Sequence, residues 1–188
     1  MYSNLIKYCS EFIEINEEDK ILIKNHFHKL SLNKKALLLE VGNVCDFIAY
    51  IDSGIIRGYH IKDGNEITCD IILHNSFLTD FNSFTNSIPS SYSFQALQKA
   101  ELLIIGRKDI LKIYEENRKF ETLGRLMAEK TAQRAIEKTM ILAYSKPEER
   151  VQKLLEQQPL LFQLVPQRHL ANMLGITPES FSRIRVRR

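Results

Sequence analysis

Towards the end of the chain, Glu179 and Arg183 stand four residues apart in the segment QRHLANMLGITPESFSRIRV, residues 167–186. On a helix that spacing sets a carboxylate and a guanidinium on one face. Both groups can read base edges: a carboxylate accepts from the amino group of cytosine, and a guanidinium gives a bidentate pair to guanine. Ser180 lies between them and can hold a phosphate, while Gln167, Thr177, Arg187 and Arg188 add polar groups suited to the sugar–phosphate backbone. The same spacing also suits a plain surface ion pair worth about 0.3–0.5 kcal/mol, so the surrounding residues have to decide.

They favour a reading surface. A helix-turn-helix must cross two helices over a turn of about three or four residues, and that geometry dictates residue size. Ala171 is small where the second helix comes near, and Gly175 falls where the first helix ends and a positive φ is useful. Leu170, Leu174, Ile176, Phe181 and Ile184 recur at the offsets that seal a small core between two helices. Thr177 is a good N-cap, and Pro178 follows at the first helical position, where its missing N–H costs nothing. Charge agrees with this. The 188-residue chain has a net charge of +3, but residues 166–188 carry five Arg against one Glu, which leaves the first 165 residues at −1. A basic terminal segment on a near-neutral body suits a polyanion such as double-stranded DNA.

Other elements must carry this segment. Residues 17–30 open on an acidic turn and then repeat apolar residues at helical spacing, which predicts a short N-terminal helix. From Ala36 to Gly106 the pattern changes to short β-prone runs, ALLLE, FIAYI, IIRGYH, EITCDII, YSFQAL and ELLII, parted by turn residues. Closely spaced short strands predict a sandwich or small barrel, and Lys62-Asp63-Gly64-Asn65 is a strong hairpin signal. The polar stretch HNSFLTDFNSFTNSIPSS reads as a loop or short helix across the mouth of the barrel. A small helix is expected at 107–114, followed by a long one from Asn117 to Tyr144 that is interrupted only by Gly124. A helix of that length, roughly 42 Å, needs a partner along it, and pairing with a second copy is the expectation. Ser145-Lys146-Pro147-Glu148 has the form of a capping box, and a helix over 148–157 follows. The expected division is therefore 1–116, 117–144 and 145–188.

Several function classes lose support. Cys9, Cys45 and Cys69 show no metal-ligand spacing, and His26, His28, His60, His74 and His169 read as surface or satisfied core residues rather than haem ligands. No metal, cofactor or catalytic constellation is expected, and the strands lack the His/Glu spacing of a cupin-like enzyme, so the chain reads as a non-enzyme. No apolar run approaches the ~20 residues of a membrane span, and no secretory signal opens the chain, which predicts a cytoplasmic protein without a membrane partner.

The whole chain resembles the Crp/Fnr family of bacterial regulators. LLLEVGNVCDFIAYIDSGIIRGYHIKDGNEIT looks like the first half of that family's β-roll, Pro147-Glu148-Glu149-Arg150-Val151 like the start of its DNA-binding domain, and LGITPESFSRIR is closest to the branch found in Bacteroidetes. The resemblance implies an α+β fold: an N-terminal antiparallel β-roll of the cyclic-nucleotide-binding, jelly-roll type, a long dimerisation helix, and a C-terminal winged helix-turn-helix. It implies a homodimeric transcription regulator on a pseudo-palindromic site, with Glu179 and Arg183 on bases and Ser180 near the backbone. RNA polymerase is a further partner the family suggests; the effector is unknown. One departure matters. Where cyclic-AMP receptors carry a Gly-Glu pair and an Arg-Ser pair, this sequence aligns Thr79-Asp80 and Ser90-Ser91. A cyclic phosphate buried without the arginine is heavily penalised, so the pocket is degenerate and the usual response to cyclic AMP is not expected.

Overall fold

The structure is a computed structural model and describes residues 1–186. Two helices, α1 (Tyr2–Ser10) and α2 (Glu17–His26), lead into eight strands: β1 (His28–Leu32), β2 (Leu37–Leu39), β3 (Phe47–Ser53), β4 (Ile55–Lys62), β5 (Asn65–Leu73), β6 (Ser76–Leu78), β7 (Ser93–Ala96) and β8 (Ala100–Gly106). The strands form two antiparallel four-stranded sheets, ordered β1-β8-β3-β6 and β2-β7-β4-β5. The first helix of the chain went unread in the sequence, and residues 28–32 extend as a strand where a helix end was expected. Asn16 ends the ambiguity at the other boundary: its side chain caps Asp19 N and the Asp19 carboxylate accepts from Asn16 N, both at 2.9 Å. The Asp63-Gly64 hairpin forms as expected, with Lys62 paired to Asn65 across it.

Burial explains the strand sequences. Along β8, Ala100 and Leu102 face the space between the sheets with Ile51, Ile56, Phe94 and Ala96, whereas Leu103 and Ile105 face outward onto helices with Leu5, Cys9, Ile23 and Tyr50. A strand buried on both faces reads as a continuous apolar run, which is why ELLII lacks alternation. The second sheet also has a covered outer face. Ile55 and Ile71 pack there against Val151, Leu154, Leu161 and Leu170 from the C-terminal helices.

Beyond β8 the chain is helical: α4 (Arg107–Glu116), α5 (Arg118–Tyr144), α6 (Pro147–Gln157), α7 (Pro159–Leu164), α8 (Gln167–Met173) and α9 (Pro178–Val186). No strand follows α9 among the described residues, so the expected wing is not found there. The 27-residue α5 is capped by Asn117, whose side chain accepts from Lys119 N at 3.0 Å. Its lone glycine has a packing reason: a Cβ at Gly124 would stand 2.4 Å from the Tyr114 hydroxyl of α4. Only the N-terminal part of α5 is buried, at Phe120 and Leu123. Farther along, Ile136, Met140 and Tyr144 are 64, 54 and 79% exposed at four-residue spacing, an apolar stripe with no cover in the single chain. Only half of the expected capping box forms, and one residue further on, since the Lys146 ammonium has no lone pair with which to accept from Glu149 N. Glu149 rather than Glu148 turns back, accepting from Lys146 N at 2.8 Å, while Ser145 caps the end of α5 and is buried.

Candidate nucleic-acid interface

The α8–α9 pair is built around a closed apolar core. Leu170, Ala171 and Phe181 are fully buried, Leu174 nearly so, and the Phe181 ring stacks on Phe162 of α7 with centroids 5.7 Å apart. Gly175 takes φ +65, the left-handed value that lets the chain reverse after α8. Its neighbour Ile176 then donates its N–H to Ala171 O at 3.0 Å. Thr177 caps α9, its hydroxyl oxygen accepting from Ser180 N at 3.2 Å, and Pro178 opens the helix.

With that core fixed, α9 turns Glu179, Ser182, Arg183 and Arg185 to solvent. Glu179, Ser180 and Arg183 share a helix face, and Arg183 reaches Ser180, donating from Nη2 to Oγ at 3.3 Å, instead of closing on Glu179. Arg183 is therefore tethered by a neutral hydroxyl that a base edge or phosphate can displace. The Glu179 carboxyl is held below the usual range by its own backbone N–H and then by the Thr177 hydroxyl, so it is ionised and an acceptor at neutral pH. Thr177 and Gln167 are exposed, Gln167 at the start of α8. Arg187 and Arg188 lie outside the described residues.

Sequence reasoning missed how this unit is held. The buried face of α8 lies on β5, and a polar group sits in the otherwise apolar contact. His169 is 5% exposed, and its Nδ1 stands 3.0 Å from the Thr68 hydroxyl and 3.5 Å from Arg57 Nη1. Arg57, itself 4% exposed, donates to Gln95 Oε1 from Nε at 3.0 Å and from Nη2 at 2.6 Å, pairs with Glu66 and lies over the Tyr59 ring at 4.2 Å. Burial, followed by the nearby Arg57 and Arg168 charges, pushes the His169 pKa down to about 4, against a smaller opposing pull from Glu66. One signal was available in the sequence: an arginine in the middle of the apolar strand IIRGYH cannot be buried there without partners.

The aligned nucleotide-pocket residues are closed on themselves. Asp80 is buried, and its Oδ2 accepts from Ser90 Oγ at 2.6 Å, while Oδ1 accepts from Asn82 N and Ser83 N, each at 3.2 Å, capping α3 (Phe81–Asn86). Thr79 donates to Phe47 O at 2.9 Å, and Ser91 is exposed. A protein carboxylate thus occupies the amide donors that an anion would need. Among the described residues no His, Cys, Asp and Glu cluster is placed to hold a metal ion, and no helix is long and apolar enough to cross a membrane.

Comparison with known proteins agrees with this architecture. Residues 29–117 match the family model of the cyclic nucleotide-binding domain. No curated protein matches the sequence. The fold is shared with FixK2 from Bradyrhizobium japonicum, at TM-score 0.74 and 15% identity over 86% of this chain and 83% of that one. It is also shared with CLP, the c-di-GMP responsive global regulator of Xanthomonas campestris, at TM-score 0.69 and 15% identity over 89% and 88%. A third similar structure, from Eubacterium rectale and described as a transcriptional regulator of the Crp/Fnr family, gives TM-score 0.68 and 17% identity over 90% and 82%.

Proposed function

We propose that this chain, which carries a cyclic nucleotide-binding domain within the fold of the Crp/Fnr regulators, is a cytoplasmic DNA-binding transcription regulator that acts as a homodimer. The observation that carries the reading is α9: a helix fixed by a buried core, presenting an ionised Glu179 and a displaceable Arg183 to solvent. In this reading Glu179 and Arg183 contact base edges, and Gln167, Thr177, Ser180, Arg187 and Arg188 contact the backbone. Residues 1–116 form the sensor-like unit, 117–144 the dimer helix and 145–188 the DNA-binding unit. The uncovered stripe of Ile136, Met140 and Tyr144 supports pairing of two copies through α5. A two-fold pair would read a pseudo-palindrome with half-sites about 34 Å apart, one turn of the duplex.

The self-closed Asp80–Ser90 contact and the missing arginine argue against a response to cyclic AMP in the family's usual mode. A second reading, a regulator governed by another small ligand, draws on a cavity of about 1040 Å³ between the β-roll and α5, lined by Leu73, Phe77, Leu78, Phe84 and Met127 among others. Calorimetry with cyclic AMP and cyclic GMP tests the pocket argument, which tight binding of either would overturn. The primary test is selection of bound duplexes from random DNA, followed by Arg183→Ala. The variant should lose about 1–3 kcal/mol per site against the selected duplex while remaining a dimer. Equal affinity of variant and parent would refute the assignment.

A further inference from the structure

We propose that His169, together with Thr68 and Arg57, is a positioning group that fixes the helix-turn-helix on the outer face of the β-roll in the posture in which α9 meets DNA. The inference rests on α9 being the reading helix, and it adds what orients that helix. The contact joins residues far apart in sequence: His169 in α8 meets Thr68 in β5 and Arg57 in β4. Most of the surface around it is apolar, with Ile55, Ile71, Leu154 and Leu170 buried there. Apolar surface alone favours contact without fixing direction, whereas a buried hydrogen-bonded group accepts one arrangement and penalises the others. While this contact is made, Glu179 and Arg183 stay exposed, so docking and reading are compatible.

Protonation chemistry follows from the geometry. Guanidinium donors approach both ring nitrogens of His169, Arg57 at Nδ1 beside the Thr68 hydroxyl and Arg168 at Nε2, so the surroundings favour a neutral ring that offers a lone pair and disfavour an added proton. The charged groups that face the ring are Arg57 from β4, Glu66 from β5 and Arg168 from α8, whose Nε lies 3.4 Å from Nε2. An added proton would leave both ring nitrogens as donors, each beside a guanidinium. The docked ring titrates near 4 and a solvated one near 6.5, so docking is strongest above pH 6.5 and weakens as pH falls from there towards 4. Between pH 7.5 and 5.5 the docking equilibrium should weaken about tenfold, because at pH 5.5 only the undocked ring is largely protonated.

The experiment uses the full chain and two readouts: amide hydrogen exchange over β5 and α8, and affinity for a duplex selected from random DNA. In the parent, protection of β5 and α8 should fall about tenfold from pH 7.5 to 5.5, while β3 and β8 are unchanged. His169→Gln keeps an acceptor and cannot titrate; it should hold affinity within about threefold of the parent and abolish that pH dependence. Thr68→Arg sets a third guanidinium against the ring, beside those of Arg57 and Arg168, and should open the contact at pH 7.5 and lower duplex affinity at least tenfold. The proposal is overturned if Thr68→Arg exposes β5 and α8 yet binds the duplex as the parent does, or if His169→Gln retains the full pH dependence. Should the parent bind no duplex while exchange behaves as described, the reading of α9 is what has failed, and the positioning role falls with it.

Discussion

Removing the Asp80 carboxylate measures how completely the β-roll pocket is closed on itself. The side chain is 7% exposed and accepts three hydrogen bonds, from Ser90 Oγ at 2.6 Å and from the backbone N–H groups of Asn82 and Ser83 at 3.2 Å. In Asp80→Ala, α3 loses its N-cap, which costs about 1 kcal/mol. Buried donors left without a partner cost about 1–3 kcal/mol more. Ser90 softens the loss, because its hydroxyl also lies 3.0 Å from Tyr92 O and can turn to it. The total is about 2–4 kcal/mol, and at 2–4 °C per kcal/mol for a chain of this size the midpoint of thermal unfolding should fall by about 5–15 °C. Asp80→Asn, which keeps the cap, should fall by roughly a third as much. The assay is a thermal melt followed by circular dichroism, with and without millimolar cyclic AMP, which should leave the parent's midpoint unmoved. A shift under about 2 °C in Asp80→Ala would mean that the three hydrogen bonds do not hold the pocket shut. A rise of several degrees in the parent with cyclic AMP would mean that the carboxylate yields to an anion, and the argument against nucleotide binding would fail.

Ile136→Glu combined with Met140→Glu puts two charges into the exposed stripe of α5 and should convert a dimer to monomers in sedimentation without lowering the melting midpoint of the β-roll. A dimer that survives both changes would place the two-fold contact elsewhere. Arg150 donates to Ser145 O at 2.9 Å, Leu142 O at 2.8 Å and Leu174 O at 2.9 Å, joining the last turn of α5 to the turn of the helix-turn-helix. Lysine cannot reproduce that fork, so Arg150→Lys should cost about 2 kcal/mol in a denaturant melt and weaken binding of a selected duplex; an unchanged midpoint would count against the link.

What the sequence made legible was local. The helix-turn-helix announces itself because its core positions, its reversing glycine and its cap all lie within about twenty residues, each forced by one crossing geometry. The strand runs around Phe47–Ser53 and Ala100–Gly106 were legible for a similar reason: strands buried on both faces stay apolar throughout. Elements whose burial is set from afar were not. The sequence of β1, HKLSL, carries too little alternation to mark a strand, and only its pairing with β8 makes it one. The glutamate half of the capping box slipped by one residue because both Ser145-x-x-Glu148 and Lys146-x-x-Glu149 put a carboxylate in reach, and burial of Ser145 as the cap of α5 decided the choice.

The junction beneath α8 shows why the posture of a reading helix is harder to infer than its existence. The partners of His169 are Thr68 and Arg57, 101 and 112 residues earlier in the chain. Thr68 simply suits a β position, and Arg57, out of place in the apolar run of an interior strand, signals that partners are needed without saying which. Their meaning comes only when the second sheet buries its outer face under the C-terminal helices, since a guanidinium that finds Gln95, Glu66 and an aromatic ring is satisfied, and one that does not is expelled to solvent. A substitution at Arg57 should therefore disturb two things that the sequence lists far apart: the packing of β4 and the direction in which Glu179 and Arg183 face. Loss of duplex affinity from a residue buried in the β-roll, with α9 itself intact, is the signature that separates this coupling from a purely local fold defect.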